Sequence, residues 1–276
     1  MTKVPLDSLL TRIKGQSVTW LTILLLSTIW SSAWATRDSL QGTTETEDGS
    51  SRSGSPANSY GGTTVPICDK YDTRMFFIRP VGVATKLGAS ATINACTLYV
   101  YMSTAPATSK TVNWWRIFKP WSEGSTNDAD PGTGHGATWN CWDAISTDSS
   151  GWGTVGCANV SDAGSDNSSK GSGNDRTSTT MGSVATGTTS AVWLKLPITT
   201  ATAQGWYDAT MVENGVAVAT TASGAWGVNA SESASNKPYF VFEFTTSATA
   251  LPSAIYKQGV SGLIYKAGES GKRSKP

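Results

Sequence analysis

An all-β fold, a single jelly-roll-type β-sandwich with long polar loops, is what this sequence predicts, and three observations predict it. Only 15% of the 276 residues are charged, whereas an ordinary soluble domain carries about 25%, so helices with solvated charged faces are poorly supplied. Thr, Ser, Gly, Val and aromatic residues, which suit strands and turns, take the place of helix formers. Wherever a hydrophobic period is visible, that period is two.

The elements follow in chain order. Lys3, Arg12 and Lys14 precede an apolar run from Val18 to Trp30, and Ala33-Trp34-Ala35 then supplies the small residues that a signal peptidase reads. Residues 1–35 are therefore expected to be a signal peptide cleaved after Ala35, and the mature protein to be secreted or held at a cell surface. The apolar run is broken by Thr19, Thr22, Ser27 and Thr28 and falls short of the roughly 20 residues that span a bilayer. No membrane span is expected after cleavage. Residues 36–58 have almost no apolar content and are expected to form a disordered spacer.

The sandwich domain is expected over 59–246. Its strand-like runs are 74–78, 92–102, 112–118, 191–198, 216–219 and 239–245, with one short helix within 200–214. In the second run Cys96, Leu98, Val100 and Met102 share one face, and Thr97, Tyr99 and Tyr101 share the other. In the last, Phe240, Phe242 and Phe244 oppose Tyr239, Val241 and Glu243. Residues 161–189, almost purely Ser, Thr, Gly, Asn and Asp, are expected to be one long loop.

After 246 the texture changes. Ala254–Gly262 is echoed at once by Leu263–Gly271, with Ile255-Tyr256-Lys257 matched by Ile264-Tyr265-Lys266. This tail, 247–276, reads as an attachment strand offered to a sheet edge on another copy of the chain or on a surface protein. Its plainer reading is a floppy extension. The net charge of the whole chain is +1, so no basic field suggests nucleic acid as a partner. The charge is nevertheless segregated: 251–276 carries +4 and 36–250 carries −5.

Four cysteines in a secreted chain point to disulfides. Cys68, Cys96, Cys141 and Cys157 lack zinc-site spacing, and His135 is the single histidine. Three connectivities exist; the pairs nearest in sequence, Cys68–Cys96 and Cys141–Cys157, are the expected ones.

Several short motifs carry a family resemblance. Met75-Phe76-Phe77-Ile78 and 90–101 (SATINACTLYVY), then 112–124 (VNWWRIFKPWSEG) with its Trp-x-Glu ending, then 136–140 (GATWN) and 237–242 (KPYFVF), resemble in order and spacing the segments of DNRLRE domains. The resemblance covers about Ser59 to Thr246. The signature hexapeptide itself is absent, and Lys237 stands where the family usually has Arg. It implies a secreted β-sandwich without catalysis of its own, of a family that includes carbohydrate-binding modules and surface or virion proteins.

Catalytic chemistry is poorly supplied, since a triad would have to be built on His135 in a Gly-rich loop. The protein is expected not to be an enzyme and to need no cofactor. Ca²⁺ is the one possible ion, at Asn127, Asp128 and Asp130 or at Asp162, Asp166 and Asn167. The clearest signal is aromatic: Trp114, Trp115, Trp121, Trp139, Trp142 and Trp152 fall within 39 residues. Indole faces stack on sugar rings while polar neighbours bond the hydroxyls. A polysaccharide site at Trp115, Arg116, Glu123, Asn140, Trp142 and Asp143 is the expectation this supports. For the chain as a whole the leading expectation is nevertheless a structural or adhesive subunit of a surface layer, filament or virion, connected through the tail, with the polysaccharide-binding module as the alternative, because only a spacer and a tail accompany the domain.

Overall fold

The computed structural model describes residues 35–132, 134–144 and 150–246. The apolar leader and the repeat residues Ile255, Tyr256, Lys257, Ile264, Tyr265 and Lys266 lie outside them. The strands are β1 (Ala35–Gln41), β2 (Thr46–Arg52), β3 (Ile67–Cys68), β4 (Arg74–Pro80), β5 (Ala91–Thr104), β6 (Thr111–Arg116), β7 (Cys141–Asp143), β8 (Ser150–Gly151), β9 (Gly182–Ala185), β10 (Val192–Ile198), β11 (Val216–Thr220), β12 (Trp226–Val228) and β13 (Tyr239–Thr246). Two short helices join them, α1 (Val83–Leu87) and α2 (Thr200–Tyr207).

The strands form two main antiparallel sheets and a small ribbon. In the first sheet the order is β1-β13-β5-β12-β3, with β10 on the other side of β5; in the second it is β2-β4-β11-β6-β9, and β7 pairs β8. The period-two pattern explains how the sheets meet. Leu98, Val100 and Met102 of β5, Phe240, Phe242 and Phe244 of β13 and Leu194, Leu196 and Ile198 of β10 face Phe76, Ile78, Val112, Trp114, Val216 and Val218 of the second sheet, forming one core. The architecture is all-β and sandwich-like.

The alternate residues of the second sheet do not face water. Met75, Phe77, Trp115, Ile117, Ala217 and Ala219 pack against Trp121, Ala137, Trp142, Trp152 and Cys157 from the connecting segments. A layer of loops thus makes a second core on the sheet's far side, and β4, β6 and β11 are buried on both faces. Continuous apolar runs such as 75–78 are the sequence mark of such strands.

Two expectations about segments change. Residues 36–58 are no spacer: β1 pairs with β13 from Ala35↔Thr245 to Gln41↔Tyr239, and β2 pairs with β4 from Thr46↔Pro80 to Arg52↔Arg74. Ladder bonds come from the backbone, so edge strands form here from polar residues. Only Leu40 of β1 enters the first core. Gly42, at φ 85°, makes the turn between them, its carbonyl accepting from the Glu45 and Thr46 amides. The stretch 161–189 is likewise interrupted by β9, which pairs with the end of β6.

The expected disulfides are absent: all four cysteines are buried and none is bonded to another. Register explains the first pair. Cys68 lies opposite Trp226 of β12, and β12 meets β5 at Met102 and Thr104. Cys96 is six residues further along β5, about 20 Å at 3.3 Å per residue, whereas bridged cysteines have Cα atoms within about 7 Å. Cys157 is enclosed in the second core, and Cys141 is paired with Gly151 in the β7–β8 ribbon. Burial pushes the thiols of Cys68, Cys96 and Cys157 up, away from the reactive thiolate.

Candidate functional site: an aromatic sheet face and a carboxylate cluster

The residues expected to hold sugar do not share a surface. Trp115 is 5% and Trp142 7% exposed, and both belong to the second core. The Arg176 guanidinium covers the Trp115 ring at 4.3 Å. Arg116 is buried and paired with Asp166 at 2.5 Å, and Glu123 turns inward. Asn140 is exposed, and Asp143 accepts from His135 Nδ1 at 2.9 Å. Other indoles of the cluster have structural partners, Trp114 donating to the Pro197 carbonyl, Trp121 to Asn214 and Trp152 to Thr138. The tryptophan-rich segment builds the loop layer over the second sheet, and the density of rings that suggested a binding surface is a density of core.

Rings are presented elsewhere. On the outer face of the first sheet, Tyr99 lies opposite Tyr239 across β5 and β13, their rings stacked at 4.8 Å and 4°. Tyr101 lies opposite Trp193 across β5 and β10. Trp193 meets Tyr101 edge-on at 5.1 Å and Tyr239 at 5.2 Å, which makes one connected slab of four rings over three strands. Trp193 remains 36% exposed. The Lys195 ammonium sits 5.7 Å from the Tyr99 ring. Beside Tyr239 the face continues into a shallow depression of about 330 Å³ lined by Arg37, Asp38, Ser39 and Val241. The alternation of Tyr99 with Tyr101, and the position of Tyr239 opposite the phenylalanines of its strand, carried this signal in the sequence. Clustering of tryptophan along the chain drew attention away from it.

A second concavity, about 380 Å³, opens among Arg52, Tyr60, Val65, Ile67, Arg74 and Asp128. Here Asp128 accepts from the Tyr60 hydroxyl and from Asn58, and Asn127 from Thr63. Asp130 caps the Gly132 amide. In the other polar group Asp162 binds the amide and hydroxyl of Thr179, bonds that hold its carboxyl down to about 2. Asp166 holds Arg116, and Asn167 accepts from Lys119. These side chains fasten loops through hydrogen bonds within the chain.

Among the described residues, three carboxylates that converge are Asp48, Glu123 and Glu232, one oxygen of each lying within 4.8 Å of the others. Three distant segments meet there. Asp48 is on β2, Glu123 ends the Trp121-Ser122-Glu123 motif, and Glu232 follows β12. A β-carbon at Gly61 would overlap the Glu123 carbonyl, so glycine lets the 59–62 loop close directly on the segment bearing Glu123. Asp48 Oδ2 accepts from the Ser231 amide at 2.6 Å, Glu123 Oε1 from the Asp48 amide at 3.0 Å, and Glu232 Oε1 from the Ser231 hydroxyl at 2.8 Å. Burial, then Glu232, push the Asp48 carboxyl well up, and burial pushes Glu123 up to about 8, with Glu232 and Glu47 adding to it. No local spacing announces this cluster; only the fold assembles it.

No protein-family model and no curated protein sequence matches the chain.

Proposed function

We propose that the chain is a secreted, non-catalytic β-sandwich of jelly-roll type, akin to DNRLRE domains, that binds a polysaccharide on the outer face of its first sheet. The observation that carries this reading is the slab formed by Tyr99, Tyr101, Trp193 and Tyr239. Such rings join apolar area to hydroxyl and indole N–H groups, the combination a sugar ring needs, apolar on its C–H face and polar at its rim. Among the described residues no hydrogen bond engages the three tyrosine hydroxyls, which leaves them to a ligand. A long chain of sugars suits a flat face better than a single sugar does, because neighbouring residues of the polymer can each cover part of the slab. The non-catalytic part of the reading rests on the supply of residues, since His135 is the single histidine of the sequence and stands exposed on a Gly-rich loop.

Affinity electrophoresis through gels containing neutral or acidic polysaccharides tests this. Trp193→Ala and Tyr239→Ala should each weaken retardation by about 1–3 kcal/mol while shifting the unfolding midpoint little, since these side chains lie on a solvent face. Migration of the native chain unaffected by every polysaccharide, or undiminished retardation of both variants, rules the reading out.

A structural or adhesive subunit is the second reading, and the outer edge of β1 favours it, because among the described residues only β13 pairs with that strand. An edge with unpaired backbone groups accepts a strand from a neighbour, and the tail at 247–276 is the candidate donor. Such head-to-tail use of one strand need not close into a ring. Sedimentation of the mature chain against a form ending at 246 separates the readings: loss of assembly on truncation supports the connector, and identical monomeric profiles exclude it.

A further inference from the structure

The geometry points to a structural divalent-cation site, sized for Ca²⁺, formed by the carboxylates of Asp48, Glu123 and Glu232. The first ground is the buried oxygen atoms. Asp48 is fully buried, and while its Oδ2 takes the Ser231 amide, its Oδ1 has no hydrogen-bond partner; Glu232 Oε2 is buried and unpartnered as well. A buried carboxylate oxygen without a donor is costly, and two of them in one cluster share the same missing partner. The second ground is charge. Among the described residues no Lys, Arg or His forms an ion pair with any of the three, and the nearby Arg79 is paired with Glu47. Three acidic groups without a counter-charge are what a bound cation neutralises.

The size of the triangle accommodates Ca²⁺. A cation at the centre of a triangle whose sides do not exceed 4.8 Å lies at most about 2.8 Å from each corner, so a small inward relaxation reaches the 2.3–2.6 Å of Ca²⁺–oxygen bonds, whereas Mg²⁺ demands a tight octahedron at about 2.0–2.1 Å. All three donors are anionic oxygens, the set a hard cation takes. The ion's role would be mechanical: it would fasten the first edge of the second sheet, at Asp48, to the segment before the loop layer, at Glu123, and to the β12–β13 connection, at Glu232.

The experiment uses the full chain treated with EDTA and then freed of chelator. Calorimetric titration with CaCl₂ should give one site per chain lost on substitution of the cluster, and saturation should raise the unfolding midpoint by about 5 °C or more at a hundredfold excess over Kd. TbCl₃ should give luminescence excited through tryptophan, because the Trp121 ring lies beside Gly49, the neighbour of Asp48. Asp48→Asn and Glu232→Gln should each weaken binding by about tenfold or more. In EDTA, Asp48→Asn should be at least as stable as the native chain, since it removes a buried carboxyl whose ionised form burial and Glu232 disfavour, and it should no longer respond to CaCl₂. Should Asp48→Asn not fold, Glu232→Gln, at a half-exposed position, decides alone. Absence of heat, luminescence and stabilisation with millimolar CaCl₂ overturns the proposal and leaves the cluster held by protons. Undiminished binding in the folded variants, or preference for MgCl₂ over CaCl₂, overturns it too.

Discussion

Replacing Trp115 with alanine is expected to lower stability by about 3–5 kcal/mol, the range for removing a buried aromatic ring. The indole sits on β6 opposite Ala217, is 5% exposed, and fills the second core with Met75, Phe77 and Trp152. Little nearby can collapse into the space, because the ring lies between a sheet and the Arg176 guanidinium above it. Urea unfolding checks this, the midpoint falling with the slope unchanged. Any lost retention on polysaccharide should follow the unfolded fraction, the opposite of the behaviour expected for Trp193→Ala. A native midpoint with retention lost would return Trp115 to the role of a binding platform.

Asp175→Ala should do comparable damage by a polar route. This carboxylate is fully buried and accepts from the amides of Gly153, Thr154 and Asn159 at 2.7, 3.1 and 2.9 Å. Its removal orphans three donors, each worth about 1–3 kcal/mol when buried and unpaired, and partial relaxation brings the expected total to about 3–5 kcal/mol. Asp175→Asn, which keeps an acceptor of the same shape, should cost less. The damage should be local first: hydrogen exchange should quicken at 153–159 before the strands of the first sheet respond. The fully buried Lys119 secures the same layer, its ammonium donating to Asn167 Oδ1 at 2.5 Å and to the Ser169 and Ser172 carbonyls at 2.6 Å. Uniform exchange across the chain would mean that the loop layer is not a separate unit.

Much of the first sheet was legible in the sequence. The run at 92–102 became β5 and that at 239–245 became β13, and the faces assigned by alternation are the faces observed, because period two maps directly onto a pleated strand with one side in a core. The runs in the second sheet were legible as strands, but the burial of both their faces was not, since the covering layer comes from loops whose course no local pattern fixes. β1 and β2 were illegible for another reason. Apart from Ala35 and Leu40 their residues are Thr, Ser, Gly, Gln, Asp, Glu and Arg, and what makes them strands is an edge of backbone donors and acceptors supplied by β13 and β4. The same polar stretch supplies Asp48, so the carboxylate cluster was hidden with it. The pairing of Cys68 with Cys96 failed on distance, which sequence proximity does not measure once two residues enter different strands.

The pairing of β1 with β13 joins the first and last strands of the domain in antiparallel register, Ala35 lying opposite Thr245. The first and last described residues, Ala35 and Thr246, therefore lie at one end of one ladder. A pull applied between these two points would act across the hydrogen bonds one rung at a time, opening β1 from β13 like a zipper, and would never load the whole ladder in shear. In a chain of molecules linked through their ends, the sandwich would then be the yielding element. A tension-bearing assembly would have to grip the domain elsewhere, or brace the β1 edge with a neighbouring strand so that the first rungs cannot open.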